Sequence, residues 1–318
     1  MSAPAAAVDP IVLEKSGPFG HAILEIGRRR SDVVVLSADV AGVTGLAPFA
    51  QAFPDRFVNV GMAEENLVAV ALGLAKAGFV PVATTFAVFA TRRALDFIAI
   101  QCALNRANVK IVAALPGIYS TFGPTHQGID DLAHMRVLPN MTVLDPCDNA
   151  EMQEAVAAAV ESDGPVYLRE LLGKETRDVD RGSHHFEIGP AQMLQEGTDI
   201  GIVASGIMVR RAQDAVGELA ERGISAALLK VSTLKPFDED AVASLASETG
   251  ALVTAENHSV IGGLGEAVAS LLMRSGVMAP FRQVALPDAF LDAGALPTLH
   301  DRYGISTETM SAKIKSWV

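Results

Sequence analysis

The chain contains 318 residues, of which 50% are hydrophobic, 19% are charged and 5% are aromatic. This length and apolar content allow a large buried core, and the length suggests two domains rather than one. The formal net charge of -12 argues against nucleic acid or an anionic membrane surface as a partner, because both attract a basic face.

The first half of the chain alternates apolar, β-branched runs with segments of helical periodicity. Helices are predicted to begin at Glu65, Arg92 and Asn149. Repeated strand–helix–strand units give a parallel sheet with helices on both faces, so we predict an α/β, doubly wound first domain over residues 1–178. The predicted strands are DVVVLSA from Asp32, FVPVATT from Phe79, VKIVAAL from Val109, MTVLDP from Met141 and PVYLRE from Pro165.

The alternation pauses between Leu172 and Gly197, where the chain is polar and unperiodic. It then resumes, and we predict a linker over residues 179–196 and a second, smaller doubly wound α/β domain over residues 197–318, again with a mostly parallel sheet. The predicted strands of this domain are DIGIVASG from Asp199, ISAALLKVST from Ile224, GALVTAEN from Gly250 and FRQVALP from Phe281.

Two adjacent carboxylates, Glu64 and Glu65, precede an almost wholly apolar helix in VGMAEENLVAVALGLAKAGF. Acids in a first helical turn usually compensate the exposed backbone N–H groups, worth ~0.3–1 kcal/mol each. Glu64 follows NVGMA, which would deliver it from a strand end into the crevice where α/β sheets bind ligands, and a carboxylate there could exchange protons. Spacing alone favours the helix-terminus role for both residues.

Aromatic residues and a histidine follow the next two strand ends. Phe86 and Phe89 lie just past a strand end in ATTFAVFATRR, and their spacing of three would place them on one helical face where they could hold a flat ring. His126 is presented by the Gly-Pro loop in YSTFGPTHQGIDD. Core packing for the Phe pair and a loop role for the histidine are the alternatives.

The motifs VGMAEEN, TTFAVF and GPTHQGIDDLAHMRVLPNMTVLDPCD occur in this order. Together they resemble the pyrimidine-binding half of transketolase-like enzymes, which depend on thiamine diphosphate. The segments LKVSTLKPFDEDAV and ENHSVIGGLGEAV are similar to the transketolase C-terminal domain. The resemblance covers essentially the whole chain and implies transfer of a two-carbon ketol unit from a ketose to an aldose.

The resemblance also implies roles for individual residues. Glu64 would hydrogen-bond the aminopyrimidine ring of thiamine diphosphate, where proton sharing with a ring nitrogen helps to generate the cofactor's nucleophile. Phe86 and Phe89 would form the aromatic pocket around that ring. Asp39, at the end of the first strand, would lie near the cofactor and the subunit contact. His126 would face the reacting carbons.

One family motif is missing from the chain. Transketolases hold the cofactor's diphosphate through a metal ion in another domain, which a GDG sequence marks, and GDG does not occur here. The chain therefore resembles the C-terminal subunit of a split transketolase. We expect it to bind no metal itself, and we expect an N-terminal partner subunit to hold the diphosphate with Mg²⁺ or Ca²⁺. An α2β2 heterotetramer is the expected assembly.

Several positions depart from the family pattern for phosphosugars. Ser16 and Asp145 stand where ordinary transketolases carry arginines that bind the sugar phosphate, and Val43 stands where they carry a serine for the same group. Phe122 replaces an aspartate that binds a sugar hydroxyl. We therefore expect an unusual sugar, either unphosphorylated or carrying its anionic group elsewhere, with Asp145 accepting hydroxyl hydrogen bonds.

Three arginines are candidate cations for an anionic substrate. Arg92 stands where the family has an aromatic residue, and Arg136 and Arg169 lie farther along the chain. Each could instead be a structural ion-pair partner.

The glycines of ENHSVIGGLGEAV suggest a phosphate loop at Gly262, Gly263 and Gly265. Their spacing is not GxGxxG, and Glu256 precedes them instead of following by ~20 residues, so we predict a turn and packing role. His258 is predicted to be an interface or loop residue.

The remaining signals concern the compartment and other classes of function. Cys102 and Cys147 lack metal-ligand spacing and predict neither a disulfide framework nor a zinc site, and no metal role is predicted for His184 and His185. The N-terminus lacks an export signal, so we expect a cytoplasmic protein. The β subunit of a 2-oxoacid dehydrogenase and a non-catalytic regulatory partner remain as alternatives.

Overall fold

The computed structural model describes residues 8–170 and 176–317. Strands and helices alternate along the first domain, as predicted. Its strands are β1 (Val33–Ser37), β2 (Phe57–Asn59), β3 (Val80–Phe86), β4 (Lys110–Ala114), β5 (Thr142–Leu144) and β6 (Val166–Glu170). Its helices are α1 (Pro10–Lys15), α2 (Pro18–Arg29), α3 (Ala47–Ala52), α4 (Glu64–Lys76), α5 (Ala87–Arg92), α6 (Leu95–Phe97), α7 (Asp131–Val137) and α8 (Asn149–Glu161), with a 3₁₀ turn at Pro54–Arg56 and a π-helical segment at Ile98–Ala103.

The helix predicted from Arg92 differs from the one observed. Helix α5 begins at Ala87, directly after β3, and ends at Arg92. The chain leaves helical geometry at Ala94, where ψ is 11°, before the segment Leu95–Ala103 continues as an α turn and a π-helix. The two arginines Arg92 and Arg93 therefore lie at the end of a short helix, not at the start of a long one.

The second domain repeats the same alternation. Its strands are β7 (Gln192–Gln195), β8 (Ile200–Ala204), β9 (Ala226–Lys230), β10 (Thr233–Lys235), β11 (Leu252–Ser259) and β12 (Phe281–Leu286). Its helices are α9 (Met208–Ala220), α10 (Glu239–Glu248), α11 (Leu264–Ser275), α12 (Leu296–Arg302) and α13 (Thr307–Lys315). Together the domains form an α/β fold with two mostly parallel sheets, which confirms the predicted fold class.

The first sheet has seven strands in the order β10-β5-β6-β4-β3-β1-β2, and all its pairs are parallel except β10 with β5. The second sheet has five strands in the order β12-β11-β8-β9-β7, with only β7 antiparallel to its neighbour. Helices cover both faces of the central strands. That cover explains why β1, β4, β6, β8 and β9 are buried at every residue.

Two edge strands lie across the predicted domain boundaries. Strand β7 lies inside the predicted linker over residues 179–196 and pairs with β9, while residues 172–175, in the polar stretch before that linker, lie outside the described residues. Strand β10 belongs to the second half of the sequence but completes the first sheet. The two domains are therefore joined by a shared strand as well as by packing.

One hydrophobic cluster extends across both domains. It contains Leu132, Met135 and Val143 from the first domain together with Leu229 and Val242 from the second. The opposite faces of the two sheets are covered by separate clusters, one under α2 and α8 and one under α9 and α13. The inner helices and sheets thus pack as one unit. Within the described ranges, no helix is both long and apolar enough to cross a bilayer.

Candidate active site

Glu64 is the first residue of α4 and is only 3% exposed. The Nη1 atom of Arg93 donates to both carboxylate oxygens at 3.1 and 3.3 Å, and the Thr85 hydroxyl lies 3.5 Å from Oε1. Glu65, the next residue, is half-buried on the same turn. A buried carboxylate therefore lies at the carboxyl end of the sheet, beside the point where β3 ends.

Aromatic rings form a wall next to this carboxylate. Phe86 ends β3 and precedes α5, and the ring of Phe89 lies 5.8 Å from it, centroid to centroid. The His126 ring meets Phe89 at 5.2 Å and Phe86 at 6.3 Å in edge-on geometry. Phe122, which is 67% exposed, lies 5.4 Å from His126 on the outer side. Three features that the sequence placed on separate strand ends are thus brought together.

The loop that carries His126 is held by the second domain. Asn257, at the end of β11, accepts the Ile118 N–H at 3.0 Å, and the Ser259 N–H donates to the Ile129 carbonyl at 2.7 Å. The Gln127 side chain, which is 1% exposed, donates to the Asp292 carbonyl at 3.0 Å. These contacts fix both ends and the middle of the loop.

Asp39 and Arg92 lie at the same edge of the first sheet. Asp39 follows β1 with a positive φ of 61°, and its side chain and backbone N–H form a reciprocal pair of hydrogen bonds with Asn59, each 3.1 Å. Arg92 donates from Nε to Asp130 at 2.9 Å. Asp39 thus bonds to a residue of β2, and Arg92 bonds to the residue that directly precedes α7. Contact with Glu64 is not among the described contacts of either residue.

Asp145 and Arg169 are placed differently from the expectation that they contact substrate. Arg169 is 1% exposed, donates to both oxygens of Asp131, and lies 3.3 Å from Asp145. Asp145 is 2% exposed and accepts the Ser205 hydroxyl of the second domain at 2.9 Å. Burial raises the pKa of Asp145. Both side chains are thus enclosed in this inter-domain cluster and directed at protein partners, and their contact with the sugar stays a prediction.

Ser16 and Val43 carry no positive charge for a substrate anion, and the charge of Arg136 is directed at the protein itself. Ser16 is buried and donates to the Leu13 carbonyl at 2.8 Å, while Val43 is 50% exposed. Arg136 donates to the carbonyl oxygens of Gly262 and Gly263, so it bridges the domains.

The glycine loop of the second domain binds the protein's own carboxylate. Glu256 accepts the N–H groups of Leu264 and Gly265 at 2.6 and 2.7 Å, at the N-terminus of α11. A Cβ atom on Gly263 would lie 1.9 Å from Glu256 Oε2. The glycine is therefore required for close approach of this carboxylate. The geometry agrees with the predicted turn and packing role, because the protein's own carboxyl group occupies the N–H groups that a phosphate would use.

His258 is also structural in its contacts. Its Nδ1 donates to the Ser259 carbonyl at 2.8 Å and its Nε2 accepts the Ala133 N–H at 3.3 Å, so both ring nitrogens are used in the neutral state. Burial lowers the pKa of His258 to about 4. The neutral ring therefore links β11 to α7, which agrees with its predicted interface role.

Comparison with known families identifies both halves of the chain. The family described as "Transketolase, pyrimidine binding domain" matches residues 16–172, and "Transketolase, C-terminal domain" matches residues 189–310. The chain belongs to the transketolase family. This membership confirms the resemblance seen in the sequence, and transketolase-family domains imply dependence on thiamine diphosphate.

Several transketolase-family relatives align with nearly all of the chain. An uncharacterized transketolase family protein from Sinorhizobium fredii is 49% identical over 96% of this chain and 89% of its own length. A 6-deoxy-6-sulfo-D-fructose transketolase subunit from Clostridium sp. is 41% identical over 90% of this chain and 88% of its own length. A 1-deoxy-D-xylulose-5-phosphate synthase from Geobacter sulfurreducens is 35% identical over 95% of this chain but only 48% of its own length.

Solved transketolase structures agree with this fold. A split-gene transketolase, described as an inactive β4 tetramer, superposes with a TM-score of 0.85 at 41% identity, covering 94% of this chain and 96% of that chain. The transketolase of Campylobacter jejuni superposes with a TM-score of 0.80 at 19% identity, covering 94% of this chain and 46% of that chain. At 19% identity this second likeness shows the fold alone.

The residues present suit the aminopyrimidine half of the family's cofactor. A flat, polar ring needs an aromatic face for stacking and a carboxylate at its edge, and Phe86, Phe89 and Glu64 supply these side by side. No group of three or more His, Cys, Asp or Glu suited to a metal occurs in the part of the chain that the structure describes.

Sequence reasoning missed Arg93, which contacts the central carboxylate of the transketolase-like site. Its position four residues after Phe89 could have revealed it, because residues so spaced share a helical face. Asn257 and Gln127 were missed as well. Their role depends on contacts between domains, which no local pattern records.

Proposed function

We propose that this chain is the pyrimidine-binding subunit of a split, thiamine-diphosphate-dependent transketolase. It would carry a pyrimidine-binding domain over residues 1–178 and a transketolase C-terminal domain over residues 197–318. The reaction is transfer of a two-carbon ketol unit from a ketose donor to an aldose acceptor, as in other glycolaldehyde transferases. The observation that carries the proposal is the buried Glu64 carboxylate, which Arg93 joins to the ring of Phe89 and so to the aromatic cluster with Phe86 and His126.

Each residue has a part that follows from its position. Glu64 would hold the pyrimidine through its ring nitrogen and could share a proton with it, and the burial of Glu64 would shield that proton from solvent. Phe86 and Phe89 would hold the ring flat and exclude water from the carboxylate. His126 lies on the outer side of these rings, where it can transfer a proton to or from a sugar hydroxyl. When bound, the cofactor supplies the nucleophile that accepts the two-carbon unit.

The partner is an N-terminal transketolase subunit that binds the diphosphate through Mg²⁺ or Ca²⁺, in a cytoplasmic α2β2 assembly serving carbohydrate metabolism. The absence of the GDG sequence from this chain supports the division of the site. The split-gene relative of known structure also supports it, because that protein is described as an inactive tetramer of β subunits. Asp39 lies at the exposed edge of the site and is proposed to approach the cofactor and the partner.

The donor is proposed to be a ketose whose anionic group, if present, is not a phosphate in the usual position. The three positions that bind phosphate in ordinary transketolases hold buried Ser16, exposed Val43 and the enclosed Asp145. None of them presents a positive charge. A 41% identical relative is named for 6-deoxy-6-sulfo-D-fructose, a ketose with a sulfonate. Arg92 and Phe122 remain the proposed substrate contacts, Arg92 as the last residue of α5 and Phe122 as an exposed ring beside His126.

The test is reconstitution with the N-terminal subunit that co-purifies from the native host. Ketose donors are offered with and without phosphate, together with the 6-sulfonate, and both the shortened aldose and the lengthened ketose are measured. We expect no turnover by this chain alone and turnover by the complex. Turnover by the pure chain would refute the split assignment, and formation of 1-deoxy-D-xylulose 5-phosphate instead would move the enzyme to the synthase branch of its relatives.

A further inference from the structure

The guanidinium of Arg93 lies between the Phe89 ring and the Glu64 carboxylate. Its central carbon is 4.0 Å from the centroid of the Phe89 ring, and its Nη1 atom bridges both oxygens of Glu64. A flat cation thus stacks on an aromatic face while donating to a carboxylate. An aminopyrimidine held by the same two side chains would make the same kinds of contact.

We propose that Arg93 is a placeholder for the cofactor ring: it neutralises Glu64 in the unassembled subunit and is displaced when the aminopyrimidine binds. This inference rests on the proposed function. A guanidinium that occupies both oxygens of Glu64 competes with the ring nitrogen for the same lone pairs. Proton sharing between Glu64 and the ring therefore requires Arg93 to move away.

The exposure of the two partners supports this direction of movement. Glu64 is 3% exposed and is fixed at the first turn of α4, whereas the Arg93 side chain is 49% exposed. Arg93 directly follows the last residue of the short helix α5, and its long side chain can reach solvent by rotating about its own bonds. The buried carboxylate stays in place, and the arginine is the partner that is free to leave.

Arg274 provides a matched control. It carries the same charge and pairs with Glu239 at 2.8 Å in the second domain, and its side chain is 60% exposed. Removing either guanidinium changes the net charge of the chain equally, so a difference between the two variants reports the Glu64 contact and not the charge alone.

The first measurement uses the isolated full chain. Melting temperatures are compared for wild type, Glu64→Gln, Arg93→Met, the control Arg274→Met and the double variant Glu64→Gln/Arg93→Met. Because Arg93→Met leaves a buried carboxylate without its cation, we expect it to lower the melting temperature by about 1–2 °C, and we expect the double variant to recover most of that loss. Additive effects of the two single changes would refute the pair.

The second measurement uses the reconstituted complex and follows equilibrium binding of thiamine diphosphate. A half-exposed ion pair of about 0.4–1 kcal/mol would have to be broken on binding, so Arg93→Met should bind the cofactor about two- to fivefold more tightly. Arg274→Met should bind as wild type does. Weaker binding by Arg93→Met would show that the arginine holds the cofactor and would overturn displacement.

The two measurements separate the inference from the proposed function. If the wild-type complex binds no thiamine diphosphate, the proposed function fails and the displacement fails with it, whereas the thermal cycle of the isolated chain still reports whether the ion pair exists. If the wild-type complex binds the cofactor and Arg93→Met binds it with the same affinity, the placeholder role of Arg93 is refuted and the proposed function is not.

Discussion

The two carboxylates Glu64 and Glu65 differ in burial, although they are consecutive residues in the first turn of the same helix. Glu64 is enclosed beside Phe89 and Arg93, and Glu65 is half-buried without a contact to the aromatic wall among its described bonds. Chemical identity and sequence position are therefore matched, and only the direction of the side chain differs. The pair forms an internal control for any catalytic assignment.

We predict that Glu64→Gln lowers turnover of the reconstituted complex at least ~10²-fold, because general acid–base contributions are typically 10²–10⁴-fold. Glu65→Gln should change only the helix-terminus interaction, worth about 0.3–1 kcal/mol of stability. Steady-state kinetics and urea unfolding of both variants test this. Equal losses of activity in the two variants would mean that the catalytic carboxylate has been misassigned.

Glu256 is a second buried carboxylate, and its protonation links pH to stability. Burial raises its pKa from 4.5 to about 7, although the N–H groups of Gly265 and Leu264 oppose the shift. Below pH 4.5 the folded and unfolded states both hold the proton. Between pH 4.5 and 7 the unfolded chain releases it while the folded chain retains it, so this residue's contribution makes stability fall as pH rises.

Between pH 4.5 and 7.5, we predict that the free energy of unfolding decreases by about 3 kcal/mol more in wild type than in Glu256→Gln. This figure follows from the linkage of ~1.4 kcal/mol per pKa unit. Urea unfolding at several pH values measures this difference. Glu266→Gln, at an exposed carboxylate in the first turn of α11, is the control and should follow wild type. If the free energy of unfolding of Glu256→Gln decreased with pH as steeply as that of wild type, the buried proton would lie on another residue.

At the scale of elements, the end of β11 acts as a clamp on the loop that carries His126. Asn257 is 3% exposed and bonds to Ile118, and the Cβ of any residue replacing Gly117 would lie 2.3 Å from the Asn257 carbonyl oxygen. The loop therefore fits against this strand with no space between the two backbones. The residues of the second domain lie behind the loop, so this domain contributes to the site by holding the loop, and with it His126, in position.

We predict that Asn257→Ala lowers stability by about 1–3 kcal/mol, since it leaves the buried Ile118 N–H unpaired. Amide hydrogen exchange of residues 117–130 should become faster, and kcat should fall about tenfold or more with little change in cofactor affinity, because a small misplacement of His126 weakens catalysis. Asn105→Ala, at an exposed asparagine, should leave all three quantities unchanged. Unchanged exchange in the loop of Asn257→Ala would disprove the clamp.

The elements differ in how far the sequence alone predicts them. The long strands were predictable because their β-branched runs are buried on both faces, as in β1 and β3. Strands β7 and β10 were not, because three or four residues with polar side chains give no period. The approach of Phe86, Phe89 and His126 followed from family resemblance and strand order. The burial of Asp145 did not, because Ser205, which encloses it, comes from the other domain.

At the scale of the whole molecule, buried ion pairs cross the boundary between the two domains. Lys230 at the end of β9 pairs with Glu151 in the first turn of α8, and the two side chains are 2% and 0% exposed. The Ser232 hydroxyl also donates to Glu151 at 2.9 Å. Such charges require each other, because a single buried charge without its partner is strongly unfavourable.

We predict that Lys230→Met destabilises the chain by about 3–5 kcal/mol and that Lys230→Met/Glu151→Gln restores much of this loss. Because the pair and the shared core join the domains, urea unfolding of the wild type should be a single transition by both fluorescence and circular dichroism. Two separated transitions in the wild type would contradict this cooperativity. Arg274→Met, at an exposed ion pair with Glu239, is the control and should change stability by less than about 1 kcal/mol.

The shared strand β10 affects the order in which the protein can be made. Strand β5 ends at Leu144, but its antiparallel neighbour β10 ends at Lys235, so the first sheet keeps an open edge until that later segment leaves the ribosome. At about 5–20 residues per second the edge stays unpaired for several seconds, and an unpaired edge can pair with another nascent chain. A gene break between the two domains would leave that edge open until the separately made second domain bound, which favours encoding both domains in one chain.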